Sequence, residues 1–149
     1  MGYNILTECQ FIQVHPDAKL PERADDGAAG FDLSCVEGFV LHPGEQEMVS
    51  TGLKISLPDG FEAQVRPRSG LAAKHGVTVL NSPGTIDPSY TGMCNVILIN
   101  HGKLPVAFKA GDRIAQLVFA AVSVLPVKFV TEFTKSTERG EGGFGSTGR

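Results

Sequence analysis

Glycines recur along most of this chain at intervals that leave room only for short elements of secondary structure. Between Gly30 and Gly111, consecutive glycines lie 6 to 10 positions apart. The chain has 18 glycines and 9 prolines among 149 residues, or about 18% where average usage is about 12%. Turn-forming residues at such spacing are typical of short strands joined by turns. The spacing therefore predicts a β-rich fold.

The segments between the glycines agree with this prediction. Residues 61–66 alternate apolar and polar side chains, which indicates a strand with one face in the core and the other in water. Residues 96–99 are apolar throughout, so we expect them to be buried on both faces. The runs that we predict as strands are residues 31–36, 39–41, 54–57, 61–66, 77–80, 95–100, 106–108 and 114–122.

Only residues 69–75 are suited to form a helix. Ser69 can cap its N-terminus, and Gly76 can end it in the left-handed conformation. The predicted fold class is thus all-β: a distorted, jelly-roll-like barrel or sandwich with one short helix. The chain is long enough to bury a core without disulfides or a metal.

Charge and composition limit the classes of function. The net charge of −3 and the pI of about 5.8 argue against a broad basic face for nucleic acid. No apolar run approaches the roughly 20 residues of a membrane span. The first residues carry no basic stretch that leads into an apolar one. We therefore expect a cytoplasmic protein that holds any anionic ligand locally and has no nucleic-acid or membrane partner.

The cysteines and histidines lack the spacing of a metal site. Cys9, Cys35 and Cys94 are widely separated and form no C-x-x-C pair, so we expect reduced, buried thiols. The four histidines are isolated and lack the H-E-x-x-H pattern. No nucleophile with a neighbouring histidine stands out either.

Composition changes sharply after Phe133. Residues 135–149 contain five glycines, no aliphatic side chain and one aromatic residue, Phe144, so they cannot build a core. Their charges sum to +1, which leaves −4 for the rest of the chain. We predict a body, residues 1–134, and a mobile cationic arm, residues 135–149, that orders over an anion. An unstructured solubilising tail is the alternative.

One segment is suited to bind phosphate. Residues 66–71 leave a strand and open the helix, where free N–H groups and a partial positive charge favour anions. Arg68 and the Ser69 hydroxyl would complete a phosphate cradle there. An N-cap serine beside a solvent-facing arginine is the alternative.

A second segment carries a candidate general base. Asp87 and Pro88 suit the opening of a type I turn, which is a sufficient structural role. Because Ile86 and Tyr90 lie close in sequence, Asp87 can also stand at a pocket wall and act as a base.

Taken singly, Asp32 and Gln116 fit the outward face of a strand. Neither is informative alone.

Taken in order, these segments resemble the five motifs of the homotrimeric dUTP diphosphatases (dUTPases). The last one reads R-G-x-G-G-F-G-S-T-G, and five motifs in register form a highly specific signal. The resemblance covers nearly the whole chain through residues 29–33, 66–76, 81–92, 111–117 and 139–148.

The resemblance implies a trimer in which each active site lies at a subunit junction and is completed by a neighbour's arm. The enzyme would be a hydrolase that converts dUTP and water to dUMP and pyrophosphate, with Mg²⁺ on the triphosphate. This activity limits uracil in DNA and supplies dUMP for thymidylate synthesis.

The resemblance also implies a role for each matching residue. Asp87 would activate the attacking water, Asp32 would hold the water shell of the metal, and Tyr90 would lie under the deoxyribose. The groups expected on the phosphates are Arg68, Ser69, Gly70 and Gln116. Those expected around the uracil, largely through their backbone groups, are Asn81, Thr85, Ile86 and Asn95. In the arm, Phe144 would stack on the base, and the terminal phosphate would contact Arg139, Gly145, Ser146 and Thr147.

Two alternatives stay open on the sequence. A dCTP deaminase of the same fold needs a glutamate at the base, and the third motif shows no obvious one. A non-catalytic β-sandwich binding module would leave the glycine-rich arm without a purpose. Pro88, Ser89, Met93 and Cys94 depart from the commonest form of the third motif. Because Cys94 lies beside the pocket, thiol sensitivity of the activity stays open.

Overall fold

A computed structural model describes residues 8–148 of the chain. These residues form eleven strands and one helix. In chain order the elements are β1 (Gln10–Gln13), β2 (Glu22–Arg23), β3 (Phe31–Ser34), β4 (Phe39–Leu41), β5 (Gln46–Ser56), β6 (Phe61–Arg66), α1 (Ser69–His75), β7 (Val77–Val79), β8 (Gly84–Ile86), β9 (Met93–Asn100), β10 (Val106–Phe108) and β11 (Arg113–Ala121).

Two open antiparallel sheets form a sandwich. One has four strands in the order β1-β5-β9-β7, and the other has five in the order β2-β3-β11-β6-β8. The strands β10 and β4 form a small third sheet. Side chains from all three sheets share one core, among them Val96, Leu117 and Leu41. The all-β prediction with one short helix is confirmed, in its sandwich form rather than as a closed barrel.

Each predicted run overlaps a strand, although residues 54–57 cover only the end of β5, and three strands were not predicted. The strands β1 and β2 precede the regular glycine spacing, and β2 has only two residues. The strand β8 begins at Gly84, which the spacing marks as a turn. Likewise, Gly52 does not end a strand, because β5 continues through it with a register shift between Ser50 and Lys54. Its φ of +70° is the left-handed conformation of a bulge.

The bounds of the helix match the prediction, but its N-cap does not. The N-cap is Arg68, whose extended backbone (φ −94°, ψ 130°) continues from the preceding strand, and no side chain caps the helix. Ser69 is therefore the first helical residue, and its hydroxyl is not used as a cap. Gly76 ends the helix at φ 68°, as predicted.

The strand β9 is less buried than its sequence suggests. Val96 and Leu98 are fully buried, whereas Ile97 and Ile99 are half-buried. The prediction of burial on both faces is therefore wrong for the second face. That face forms part of a cavity described below.

No strand or helix follows Ala121 in the described part of the chain. Residues 122–133 carry apolar side chains that are mostly in solvent; Val127 is 95% and Phe133 is 89% exposed. Among residues 8–148, no helix is long and apolar enough to cross a membrane. The division into residues 1–134 and 135–149 stays a prediction.

Candidate active site

The five-stranded sheet aligns residues from the first, second and fourth motifs. In β11, Gln116 pairs with Asp32 of β3 on one side and with Arg66 of β6 on the other. Paired residues point to the same face of a sheet. The other face is apolar and buried, as Leu33 and Leu117 show. The core therefore fixes a polar row of Asp32, Gln116 and Arg66 on the outer face.

Asp32 lies between two arginines. Its Oδ1 is 3.8 Å from Nε of Arg68, and its Oδ2 is 3.4 Å from a terminal nitrogen of Arg113. Arg68 also donates a hydrogen bond to the Arg113 carbonyl at 3.1 Å. The three side chains together carry a charge of +1, which suits an anionic ligand. The sequence reasoning did not assign Arg113 to the site, although it directly follows Asp112 in the fourth motif.

A β-bulge places Arg113 in this cluster. The register between β11 and β3 shifts between Arg113 and Ala115, and the intervening Ile114 is buried in the core. Bulges of this kind redirect side chains next to functional sites. A spacing pattern in the sequence does not reveal such a shift.

The start of α1 lies next to this cluster. Ser69 and Gly70 are exposed in its first turn, which contains no acidic residue, while its last turn contains Lys74 and His75. Gln116 donates a hydrogen bond from Nε2 to the carbonyl of Pro67, two residues before the helix, at 2.9 Å. The structure thus brings Arg68, Ser69, Gly70 and Gln116 to one end of the sheet.

Six of the predicted residues surround a cavity of about 280 Å³. They are Asn81, Thr85, Ile86, Asp87, Tyr90 and Asn95. The sequence reasoning missed three apolar residues of the wall, Met48, Val65 and Ile97. Met48 and Ile97 are a cross-strand pair of β5 and β9. Because this pairing joins distant parts of the chain, local sequence carried no sign of it.

The turn after β8 fixes the geometry at one end of the cavity. The Tyr90 N–H donates to the Asp87 carbonyl at 3.1 Å, so the predicted turn at Asp87 and Pro88 is confirmed. The Tyr90 hydroxyl donates to the Met93 carbonyl at 2.8 Å. A Cβ at Gly92 would lie 2.5 Å from that hydroxyl oxygen, so the ring lies directly over the glycine. The Asp87 side chain is exposed beside it.

The carboxamide of Asn95 has a hydrogen-bonding atom without a partner. Its Nδ2 lies 3.7 Å from Sδ of Met48. Its Oδ1 is buried and is the one such side-chain atom without a hydrogen-bond partner in the described part of the chain. Leaving a buried acceptor unpaired costs about 1–3 kcal/mol. A ligand that donates a hydrogen bond here would recover that cost.

The residues present fit a metal held mainly by a ligand. Residues 8–148 contain no group of three or more His, Cys, Asp or Glu side chains placed to hold an ion. Asp32 is a single half-buried carboxylate already close to two arginines. At phosphate sites Mg²⁺ keeps several waters and takes one or two carboxylates together with the phosphates. Asp32 can therefore contact a hydrated Mg²⁺ but cannot bind it alone.

The arm forms exposed turns and contributes no residue to the described wall of the cavity. Arg139 donates from Nε to the Gly142 carbonyl at 2.7 Å, and the Ser146 N–H donates to the Gly143 carbonyl at 3.0 Å. Phe144 has a positive φ of 50° and is fully exposed. Within the described residues, the cavity wall includes none after Ile97. Arg139, Phe144, Gly145, Ser146 and Thr147 are therefore not brought to the cavity of their own chain.

Burial opposes thiol sensitivity at Cys94. Its side chain is fully buried, and this burial raises the pKa of the thiol to about 11. Thiolate, rather than thiol, is the reactive form. Cys94 is thus a core residue, although it lies between two residues of the cavity wall, Met93 and Asn95.

The chain matches known proteins over nearly its whole length. The family model described as dUTPase matches residues 16–148. A relative from Wolinella succinogenes named deoxyuridine 5'-triphosphate nucleotidohydrolase is 51% identical over 140 residues, covering 94% of this chain and 93% of the relative. The structure of the dUTPase of Staphylococcus bacteriophage 80alpha with dUPNHPP superposes with a TM-score of 0.89 at 28% identity, covering 96% and 99% of the two chains.

A mutant dUTPase from phage phi11 of S. aureus, whose structure concerns the coordination of a structural Mg(II) ion, covers 85% of this chain and 98% of its own. It has a TM-score of 0.77 at 25% identity. All of these matches agree with the motifs that surround the cavity and the Asp32 cluster. The chain belongs to the dUTPase family.

Proposed function

We propose that the chain hydrolyses dUTP to dUMP and pyrophosphate. The observation that carries this proposal is that one cavity gathers Asn81, Asp87, Tyr90 and Asn95 in a chain that matches the dUTPase family. The reaction removes dUTP, which limits uracil in DNA, and supplies dUMP for thymidylate synthesis. We also propose that it takes place in the cytoplasm.

Asp87 acts as the general base in this proposal. Its exposed carboxylate lies at the cavity beside the Tyr90 ring, where it can accept a proton from the water that attacks the α-phosphorus. The bond from this phosphorus to the bridging oxygen then breaks, and pyrophosphate leaves. A backbone hydrogen bond fixes the turn that contains Asp87. The backbone that carries this carboxylate is therefore held in place.

The cationic end of the five-stranded sheet binds the triphosphate. Arg68, the first N–H groups of α1 at Ser69 and Gly70, and the carboxamide of Gln116 lie at one end of the sheet, where they would donate to phosphate oxygens. Oriented donors of this kind stabilise negative charge that develops on the phosphoryl oxygens. Because the whole chain has a net charge of −3, such local donors are needed to hold about four negative charges.

Mg²⁺ fits this site as a partner of the triphosphate. When bound, it neutralises phosphate charge and orients the leaving pyrophosphate. Asp32 would accept hydrogen bonds from the water shell of the ion, and the two arginines hold its carboxylate in place. The phi11 relative coordinates a structural Mg(II) ion, which supports only that a protein of this fold can hold this metal.

Discrimination between bases relies on hydrogen bonding at the cavity. The unpaired Oδ1 of Asn95 can accept the N3–H of uracil, whereas cytosine has no proton at this nitrogen. A site built for a hydrogen bond rejects such a mismatch by about 10⁴-fold or more. The backbone of β8 at Thr85 and Ile86 and the Asn81 side chain form the rest of this edge.

Discrimination between sugars relies on Tyr90. A soft apolar pocket rejects an added hydroxyl by only about 10²-fold. The Tyr90 ring is held by its bond to the Met93 carbonyl and by close contact with Gly92. A ring fixed in this way leaves little space for a 2′-hydroxyl.

The active unit in this proposal is a homotrimer with shared sites. Exposed apolar side chains of residues 122–133 need a covering surface, and patches of this kind mark protein interfaces. The arm lies apart from the cavity of its own chain. Both features support a neighbour's arm that completes each site, with Phe144 on the base and Arg139, Gly145, Ser146 and Thr147 on the terminal phosphate.

The two alternatives have less support. A deaminase of the same fold needs a glutamate at the base, and the described wall of the cavity contains none. A binding module without catalysis would not need a carboxylate at the open edge of a nucleoside-sized cavity. Ammonia release from dCTP would identify the deaminase.

The test measures pyrophosphate from dUTP, dCTP, dTTP and UTP with Mg²⁺, for the wild-type chain and for Asp87→Asn. We expect rapid release from dUTP alone, and loss of nearly all turnover in Asp87→Asn because the neutral amide cannot accept the proton. Nucleotide binding by calorimetry should persist in the variant. Absence of pyrophosphate from dUTP would refute the activity, and a wild-type kcat in Asp87→Asn would remove Asp87 as the base.

A further inference from the structure

The carboxamide of Gln116 is held between a carbonyl and a residue that has no side chain. Its nitrogen donates to the Pro67 carbonyl at 2.9 Å. Its oxygen lies against Gly30, at the position that a side chain there would take. An ideal Cβ built on Gly30 falls 2.1 Å from Oε1, 3.0 Å from Cδ and 3.2 Å from Cβ of Gln116. A larger residue at position 30 therefore cannot coexist with the observed carboxamide.

Backbone conformation does not explain the glycine at this position. Gly44 and Gly52 have positive φ values, which favour glycine, but Gly30 does not belong to that group. Alanine could adopt the Gly30 backbone, since no left-handed strain arises there. Space for Gln116 is the remaining structural reason for glycine.

The displaced group would be flexible, so the fold would survive. The closest atom is the far end of the Gln116 side chain, whereas its Cβ is only slightly too close. Rotation about the side-chain bonds moves the carboxamide away, and the remaining contact with Cβ of Gln116 requires β3 and β11 to yield by only a few tenths of an ångström. That movement breaks the bond to Pro67, which directly precedes Arg68 at the phosphate end of the sheet.

We propose that Gly30 is a positioning residue for the reaction, acting through Gln116. Its missing side chain keeps the Gln116 carboxamide on the Pro67 carbonyl and beside the turn that leads into α1. The substrate group that this arrangement serves is the polyphosphate of the nucleotide. This inference rests on the proposed function, because the contact of Gln116 with phosphate is part of it.

The test is a double-mutant cycle of Gly30→Ala and Gln116→Ala, with kcat and KM for dUTP in the presence of Mg²⁺. We expect Gly30→Ala alone to lower kcat/KM by about 10- to 100-fold, the scale of a misplaced catalytic contact. In the Gln116→Ala background the same change should have less than about a 2-fold effect, because the group that it displaces is absent. An equal loss in both backgrounds, or no loss in either, would overturn the proposal.

Gly27→Ala is the matched control. It lies three residues earlier in the same loop, and the nearest atom to its Cβ is Oδ1 of Asp25 at 3.3 Å. We expect this variant to keep the wild-type kcat/KM. A loss equal to that of Gly30→Ala would assign the effect to the loop instead of to Gln116.

A second readout does not depend on activity. The side-chain NH₂ signals of Gln116 in an NMR spectrum are identified by their loss in Gln116→Ala. We expect them to shift and to exchange faster with water in Gly30→Ala, since the bond to Pro67 is broken. Unchanged signals would refute the positioning role even if the wild-type chain did not hydrolyse dUTP. Failure of the proposed function is seen separately, in the wild-type assay.

Discussion

Burial decides the chemistry of the cysteine side chains. Cys94 is fully buried and Cys9 is half-buried, and desolvation raises the pKa of each thiol to about 11. Burial also raises the pKa of Cys35, whose Sγ lies 3.1 Å from the Lys109 carbonyl. The sequence predicted reduced and buried thiols from spacing alone. Cys35 and Cys94 confirm this prediction, while Cys9 remains partly accessible.

The raised thiol pKa values predict a loss of stability at high pH. In the unfolded chain these thiols lose their protons near pH 9, while the folded chain retains them up to about pH 11. Below pH 9 the protonated thiols stabilise the folded state fully. As the pH rises from 9 to 11, the free energy of unfolding falls. Urea unfolding at pH 8, 9, 10 and 11 checks this, with Cys94→Ala as the comparison. An identical pH dependence in wild type and Cys94→Ala would contradict it.

Single residues also show where sequence reasoning stopped. The placement of Asp87 and Tyr90 at one site could be inferred because the motif is contiguous and the turn is local. Arg113 and Met48 could not, because one depends on a bulge and the other on a cross-strand pair. Both of these arise from contacts between distant segments.

At the level of elements, β5 shows how a glycine can continue a strand. Gly52 has a φ of +70°, and a Cβ there would lie 2.7 Å from Cβ of His15 and 2.9 Å from Cγ1 of Val36. The glycine therefore permits a bulge that packs against two other segments. The periodic spacing could not separate this role from a turn, since both use left-handed glycine.

Gly52→Ala should destabilise the fold more than Gly44→Ala. Both positions have positive φ, which costs alanine about 1–2 kcal/mol. Gly44 has open space around its Cβ position, whereas overpacking at Gly52 adds about 1–3 kcal/mol. Urea unfolding of the two variants at one protein concentration measures the difference. Equal losses of unfolding free energy in the two variants would show that the side chains around Gly52 move aside at no cost in stability.

The helix α1 was the best-predicted element. Its bounds follow from Gly76 at the C-terminus and from the short stretch of helix-forming residues before it. The N-cap assignment to Ser69 was wrong because Arg68 remains extended after β6. Because Arg68 is the N-cap, the Ser69 hydroxyl is free of a capping role.

At the level of the whole molecule, the site residues fall into three groups. The cavity contains Asn81, Thr85, Ile86, Asp87, Tyr90 and Asn95, and the sheet end contains Asp32, Arg68, Ser69, Gly70 and Gln116. The arm forms the third group. Composition marked the arm as a separate group, and the family resemblance implied which residues face the base and which face the phosphates. Neither composition nor periodicity could separate the cavity from the sheet end, because both are built by pairing of distant strands.

Removing the arm should separate assembly from turnover. We expect a chain that ends after Thr134 to remain a folded trimer, because residues 122–133 and their apolar side chains are retained. Its kcat should fall by about 10³-fold or more, the scale of a lost arginine contact in phosphoryl transfer. Sedimentation and pyrophosphate release measure the two properties.

A chain that ends after Ala121 is the matched comparison. It lacks the exposed apolar segment, so we expect it to sediment as a smaller species. An undiminished rate in the chain that ends after Thr134 would refute the role of the arm. A stable trimer without residues 122–133 would refute the role of that segment.

The separation of the arm from its own cavity has a genetic consequence. A chain with Asp87→Asn still carries an intact arm, and a chain without its arm still carries an intact Asp87. In the proposed arrangement, in which a neighbour's arm completes each site, mixed trimers of two such inactive chains contain some sites in which every part is intact. The two defects therefore complement each other between subunits, whereas two defects within one cavity do not.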